Sequence, residues 1–593
     1  MKATRLVAVG LLLLVLAVPV GLPLCVAVRA PGGGTWAEAD RIAGLAGNTL
    51  ALAAGACLIA VPAGALLALA LERAQVPGRG VLRWLVLIGL FEPLPVYAVA
   101  WQVVLGAWLP PLTLEPGQVA WRPWGQGLLP AMWVHGMAGL PWVAWIVSAG
   151  LRTADRGLEE DALLTGGPSA VFRRVLLPRA ALASVAAGGW VAVQAATEIP
   201  VTDAMMVRTF AEEVYTQFVA ASGALAGAVA VTLPAWVAAV LVGGWVARSA
   251  TRTFDAPPTE AGRPLNLKLG PWTRWATAVG AWLAAGLFAG LPLAALVWKA
   301  GGGGTRLGWT AASFVDDLYK VLRTDGEVLL GSLSAAVGTG LIAAGLAWVA
   351  CWLANGSRWF GRFLFVLCVV LAVTPGPVVG LGLKSAIAHL VDTEEWVLGR
   401  VGLSLAFPPL RSLLYDQPSP VPAGWAALVR LFPVAVAVIW PAVRAVPRDL
   451  LEAAKLDGVS VWRYVLVPLT GPAAVRAVPR DLLEAATLDG VSVWRYVLVP
   501  LTGPAAAQAA LAVAALALGE VSASKLVNPP FRTAYVLRLF DLMHYGAEST
   551  VAALCLLQLA ATTLLAAAVV WLTGGGRPPG TAAVPAVLAP RTG

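Results

Sequence analysis

The chain has 593 residues, 59% of them apolar and 12% charged, with a mean hydropathy of +0.78. That composition excludes a soluble globular protein, and no alternating strand pattern points to a membrane β-barrel. The net charge of +9 could suit nucleic acid, but no soluble module carries a basic face interleaved with aromatics, so no nucleic-acid partner is expected.

The apolar runs predict an all-α membrane protein, because lipid leaves bare backbone polar groups without partners. Lys2 and Arg5 precede the first run, 6–28, read as an uncleaved span with a cytoplasmic N-terminus. Further spans are expected at 49–71, 82–106, 127–150, 182–202 and 222–246, closing a first half over residues 1–246. A polar, Pro-containing connector covers 247–273. The second half, 274–572, holds runs at 275–297, 328–354, 363–383, 425–441, 506–524 and 549–572. The Gly/Pro/Ala-rich stretch 573–593 reads as a disordered, cytoplasmic tail. About twelve spans in two parallel six-helix repeats are therefore expected. In that topology 26 Lys/Arg fall in inner segments and 13 in outer ones, with Lys384 and Arg430 close to span ends. The bias follows the positive-inside rule and orients the chain.

Between the fourth and fifth span of each half lies a polar loop, at 151–181 and at 442–505. The second is written twice: 442–473 and 474–505 differ only where Lys455 becomes Thr487. In each version an Arg (Arg152, Arg444, Arg476) stands eight residues before a Glu (Glu160, Glu452, Glu484), and a Gly (Gly166, Gly458, Gly490) follows six residues later. Pro447 and Asp449 suit a first helical turn, Arg448 can pair with Glu452 one turn on, and Gly458 is the expected stop. A helix–turn–helix at the membrane surface is predicted, a docking face for a soluble partner.

Glu198 lies 20 residues after Pro178, and Glu520 lies 20 residues after Pro500. Burial of such carboxylates is costly, so Glu198, Asp203 and Glu520 are candidates for a translocation pathway; the competing reading is a hydrated or hydrogen-bonded acid near an interface. Glu92, in a Phe-Glu-Pro setting, reads as the mark of a helix kink. The five cysteines lie in apolar runs without a CxxC, and the three His are scattered, so no metal site is assigned. No nucleophile–base spacing suggests an enzyme.

The pattern E-A-A-x-x-x-G followed by Leu-Pro resembles the coupling loop of binding-protein-dependent ABC transporter permeases. It is complete at Glu452-Ala453-Ala454…Gly458 and Glu484-Ala485-Ala486…Gly490, and departs at the middle position in Glu160-Asp161-Ala162…Gly166. The stretches 198–218, 374–383 and 526–548 add a resemblance to the fused, two-half subgroup that includes ferric-iron permeases. The resemblance implies a bacterial inner-membrane translocation subunit, two cytoplasmic ABC ATPase subunits as partners, and an external solute-binding protein. It implies no cofactor in this chain, with ATP and Mg held by the ATPase; no phosphate-binding G-x-x-x-x-G-K-[ST] loop is present. Ferric iron is the expected cargo, with thiamine, a polyamine or another small solute as alternatives. A secondary transporter or a membrane scaffold is the alternative of another class. The tandem copy departs from a family with one such loop per half, and one copy is expected to dock at a time.

Overall fold

The computed structural model describes residues 2–29, 39–109, 123–220, 236–237, 240–241, 244, 270–304, 308–402, 408–444, 499–529, 534–543 and 548–572. Among them every regular element is helical. Eight described helices are long and apolar enough to cross a membrane, or up to ten if each of two bent pairs counts as one span. The protein is an all-α, multi-pass membrane protein. The expected span at 222–246 lies almost wholly outside the described residues, as do the connector, the tail and the loop from 445 to 498.

In chain order, α1 (Lys2–Leu12) runs through a π-turn at Leu13–Ala17 into α2 (Val18–Arg29). Next come α3 (Ala39–Arg73), α4 (Arg79–Leu90), α5 (Leu94–Val103), α6 (Leu128–Arg152), α7 (Arg156–Ala170), α8 (Leu177–Thr197), α9 (Pro200–Ala204) and α10 (Phe210–Ala220). After the undescribed connector, α11 (Pro271–Ala285) passes through a π-turn at Gly286–Gly290 into α12 (Leu291–Ala300). Then follow α13 (Ala311–Asn355), α14 (Arg358–Val373), α15 (Gly376–Val401), α16 (Val421–Arg444), α17 (Val499–Ala517), α18 (Ser524–Val527), α19 (Tyr535–Leu542) and α20 (Glu548–Leu572).

Four expected spans are corrected in shape. The runs 82–106 and 363–383 are not straight: α4 and α5 meet at 108°, and α14 and α15 at 107°. Proline causes both breaks. Pro93 and Pro95 follow Phe91-Glu92, and Pro375 and Pro377 flank Gly376, so amide donors are missing where each helix would continue. The run 182–202 ends as helix at Thr197, because Glu198 is extended (φ −96°, ψ 145°) two residues before Pro200. The run 506–524 ends at Ala517, leaving a shorter apolar helix.

Packing forms two three-helix centres, α3 with α6 and α8, and α13 with α16 and α17. Each is completed by a helix from the other part of the chain. Leu12, Leu16 and Val20 pack into the core around α13–α17, while Ala278, Ala281, Phe288 and Ala295 pack into the core around α3–α8. A side chain from the facing core bonds a carbonyl within each of the π-turns at Leu13–Ala17 and Gly286–Gly290. Trp425 Nε1 donates to Val15 O at 2.7 Å, and Tyr97 Oη donates to Phe288 O at 2.7 Å. Backbones approach closely where the side chain is absent: a Cβ on Gly382 would collide with the carbonyl of Pro19.

Candidate functional site

The segments just beyond the broken ends of α8 and α17 meet where α16 delivers a guanidinium. Arg430 Nη2 contacts Glu198 Oε1 at 2.5 Å, and Arg430 Nη1 contacts Glu520 Oε1 at 2.8 Å. Arg430 is the tenth residue of α16, well inside the helix rather than close to its end, and Lys384 likewise lies within α15. Sequence reasoning paired the two acids and missed the base between them. The signal available was an arginine inside an apolar run, which calls for a partner.

The two acids are held differently. Glu520 caps α18: its Oε1 also accepts from Ala523 N at 2.9 Å, and its Oε2 from Ser524 N at 2.9 Å. Glu198 has, besides Arg430, the hydroxyl of Ser522, which donates to its Oε2 at 2.7 Å. Ser522 Oγ also accepts from Ile199 N at 3.4 Å. The side chains are 13% (Arg430), 16% (Glu198) and 5% (Glu520) exposed, so the guanidinium works in a largely dry setting where an unpaired charge would be costly. Both bends border the triad. A Cβ on Gly376 would stand 2.9 Å from Arg430 Nη1, and one on Gly519 would stand 2.7 Å from Pro93 Cβ. Two carboxylates and one guanidinium leave the cluster one negative charge.

Asp203 lies in α9, one turn beyond Glu198, and is not a member of the triad. Its carboxylate instead bears on Glu212 in α10. Burial pushes the Glu212 carboxyl up to about 7, Asp203 and Glu213 add to the rise, and Arg208 and the Thr209 main chain oppose it. Glu92 sits in the break between α4 and α5. Among the described residues no group of three or more His, Cys, Asp or Glu is placed to hold a metal ion.

At the ends of α3 and α6, the loop 151–181 forms α7. Asp155 caps it, accepting from Gly157 N at 2.8 Å, and Arg156 pairs with Glu160 across one turn at 2.7 Å. Ala162 is buried. The helical path breaks at Gly166 and at Gly167, whose φ of +68° favours glycine, and Pro168 opens the next turn. A π-turn at Val171–Leu176 leads into α8. The outer surface is mixed: Leu158, Leu163, Leu164 and Phe172 are exposed, Leu164 at 86%, alongside Arg156, Glu160 and Asp161. Glu160 is half exposed, whereas its neighbour Glu159 is fully buried on an ion pair with Arg73. Glu452, Ala453, Ala454, Gly458, Glu484, Ala485, Ala486 and Gly490 lie outside the described residues.

Comparison with protein-family models, with characterised proteins and with solved structures finds no match to this chain.

Proposed function

We propose that this chain is the translocation subunit of an ATP-driven, binding-protein-dependent importer in a bacterial inner membrane. The observation that carries the reading is α7, a capped helix between two membrane helices that exposes Leu158, Leu163 and Leu164 among the charged side chains of Arg156, Glu160 and Asp161. Apolar side chains interleaved with charges suit contact with a soluble protein better than contact with lipid. The duplicated loop leaves α16 and enters α17 at the corresponding place in the element order. We read the order after Pro271 as a repeat of the order from Lys2, parallel in the membrane, with two loops facing two copies of a cytoplasmic ABC ATPase.

The cargo route then follows the interface between the halves, as expected for parallel repeats about an axis along the membrane normal. Arg430, Glu198 and Glu520 close that route in this conformation. ATP binding closes the ATPase pair, the loops carry the motion into the helices, and the interface opens toward an external binding protein. We assign ferric iron as cargo: carboxylates suit a hard cation once Arg430 releases one of them. The test is affinity purification of the full chain from its native membrane, with uptake of labelled ferric iron and labelled thiamine measured in cells with and without it. Co-purification of an ATPase and loss of iron uptake support the reading. No ATPase partner overturns it in favour of a secondary transporter or scaffold, and unchanged iron uptake overturns the cargo alone.

A further inference from the structure

Four helix ends are knotted together at the base of α7. Arg73, the last residue of α3, contacts Glu159 of α7 at 2.6 Å through Nη1 and donates to Leu151 O of α6 at 2.6 Å through Nη2. Both side chains of that ion pair are buried, Arg73 at 3% and Glu159 at 0% exposure. The preceding residue, Glu72, receives Arg152 of α6 in a two-toothed contact at 3.1 and 2.8 Å, and Arg83 of α4 at 3.2 Å. The opposite end of α3 is stitched to the stretch that follows Glu198. Arg41 pairs with Glu213, Asn48 Nδ2 donates to Arg208 O at 3.0 Å, and Phe210 N donates to Thr49 Oγ1 at 3.2 Å. One helix of 35 residues, about 52 Å long at 1.5 Å per residue, thus touches α7 at one end and, at the other, the stretch Arg208–Glu213 that follows the segment of Glu198.

We propose that Arg73 and Glu159 are positioning residues that make α3 a lever, carrying movement of α7 to the segment bearing Glu198. The inference rests on α7 being the face that meets an ATPase. A fully buried ion pair suits the task because separating its charges without water is costly, so α7 cannot move without pulling α3. Surface pairs such as Arg156–Glu160 yield easily and transmit little. When Glu160 is set against Glu452 and Glu484 in the sequence, the positions matching Glu159 are Leu451 and Leu483, which carry no charge.

The test uses the full chain with its co-purified ATPase in nanodiscs. Val521, buried beside Glu520, is replaced by Cys, and the rate of thiol labelling on that peptide is read with and without ATP and Mg. ATP is expected to change that rate in the unaltered background. In Glu159→Gln the ATPase should remain bound while the ATP-dependent change falls at least tenfold. The exchanged pair, Arg73→Glu with Glu159→Arg, should restore it. Absence of any ATPase from the unaltered chain would overturn the importer reading itself. An undiminished ATP response in Glu159→Gln with the ATPase bound overturns the lever. So does loss of ATPase binding in that variant, which would make the pair part of the docking surface, and so does an exchanged pair that restores nothing.

Discussion

Replacing Arg430 by Gln tests the interface most directly. The substitution leaves two carboxylates, 16% and 5% exposed, facing one another without the cation between them. Glu520 keeps its two main-chain donors and Glu198 keeps Ser522, so neither acid is stranded entirely. Removing one partner of a buried ion pair costs about 3–5 kcal/mol. The halves can relieve that cost by separating, which lets water reach both acids. A bias of about 3 kcal/mol corresponds to roughly a hundredfold change in the closed-to-open ratio, at about 1.4 kcal/mol per tenfold. The assay is thiol labelling of Val521→Cys, resolved by peptide mass spectrometry so that the native cysteines do not interfere. Its rate should rise about a hundredfold in Arg430→Gln. Neutralising all three, with Arg430→Met, Glu198→Gln and Glu520→Gln, should return thermal stability to within about 1 kcal/mol of the parent. An Arg430→Gln chain with unchanged labelling and unchanged melting would refute the idea that the guanidinium holds the halves together.

Gly382→Val puts a branched side chain against the Pro19 carbonyl, and backbone cannot yield as a side-chain tip does. The crossing of α2 over α15 should loosen at a cost of at least about 1–3 kcal/mol, read as a lower melting temperature in detergent. Leu164→Glu changes an 86% exposed side chain; stability should stay within about 0.5 kcal/mol while ATPase co-purification is lost. Glu212, raised to about 7 by burial and by Asp203, binds its proton more tightly folded than unfolded. Its contribution to stability is therefore greatest below the ordinary carboxylate range and lost as pH rises through about 7. Melting followed by tryptophan fluorescence from pH 5 to 8 should show that decline, and Glu212→Gln should flatten it.

The apolar runs were legible because helix length and bilayer thickness leave little choice. Less of the packing was. Prolines at 93 and 375 mark where a helix must fail, but no local rule sets a turn of 107–108° rather than a kink. The exchange of α1–α2 and α11–α12 between halves was invisible, since lipid-facing leucines and alanines name no partner. Glu198 and Glu520 stood out by their matching distance from Pro178 and Pro500. Arg430 lies 232 and 90 residues away from them, and only the fold brings it there. At α7 the motif drew attention to Glu160. Helical phase adds what the motif did not show: Glu159 and Ala162, three apart, share the buried face, while Glu160 turns outward.

The unequal holding of the two acids bears on how a cation would pass. Glu520 is fixed by two main-chain N–H groups of its own segment as well as by Arg430, whereas the hydrogen bonds and ion pair that hold Glu198 come from Ser522 and Arg430, with His135 of α6 near enough to act on it electrostatically. On the proposed import reading, parting of the interface would leave Arg430 with Glu520, since both follow Pro271 in the chain, and would break the bonds of Glu198 to Arg430 and Ser522. The opened interface would then offer a hard cation Glu198, beside His135, rather than the remaining ion pair. Glu198→Gln should accordingly lower uptake of ferric iron while costing little stability, because Arg430 keeps Glu520. Glu520→Gln should lower stability by about 3 kcal/mol, losing a charged cap and an ion partner together. Equal losses of uptake and of stability in the two variants would show that the acids are interchangeable, and that the interface does not part on the Glu198 side.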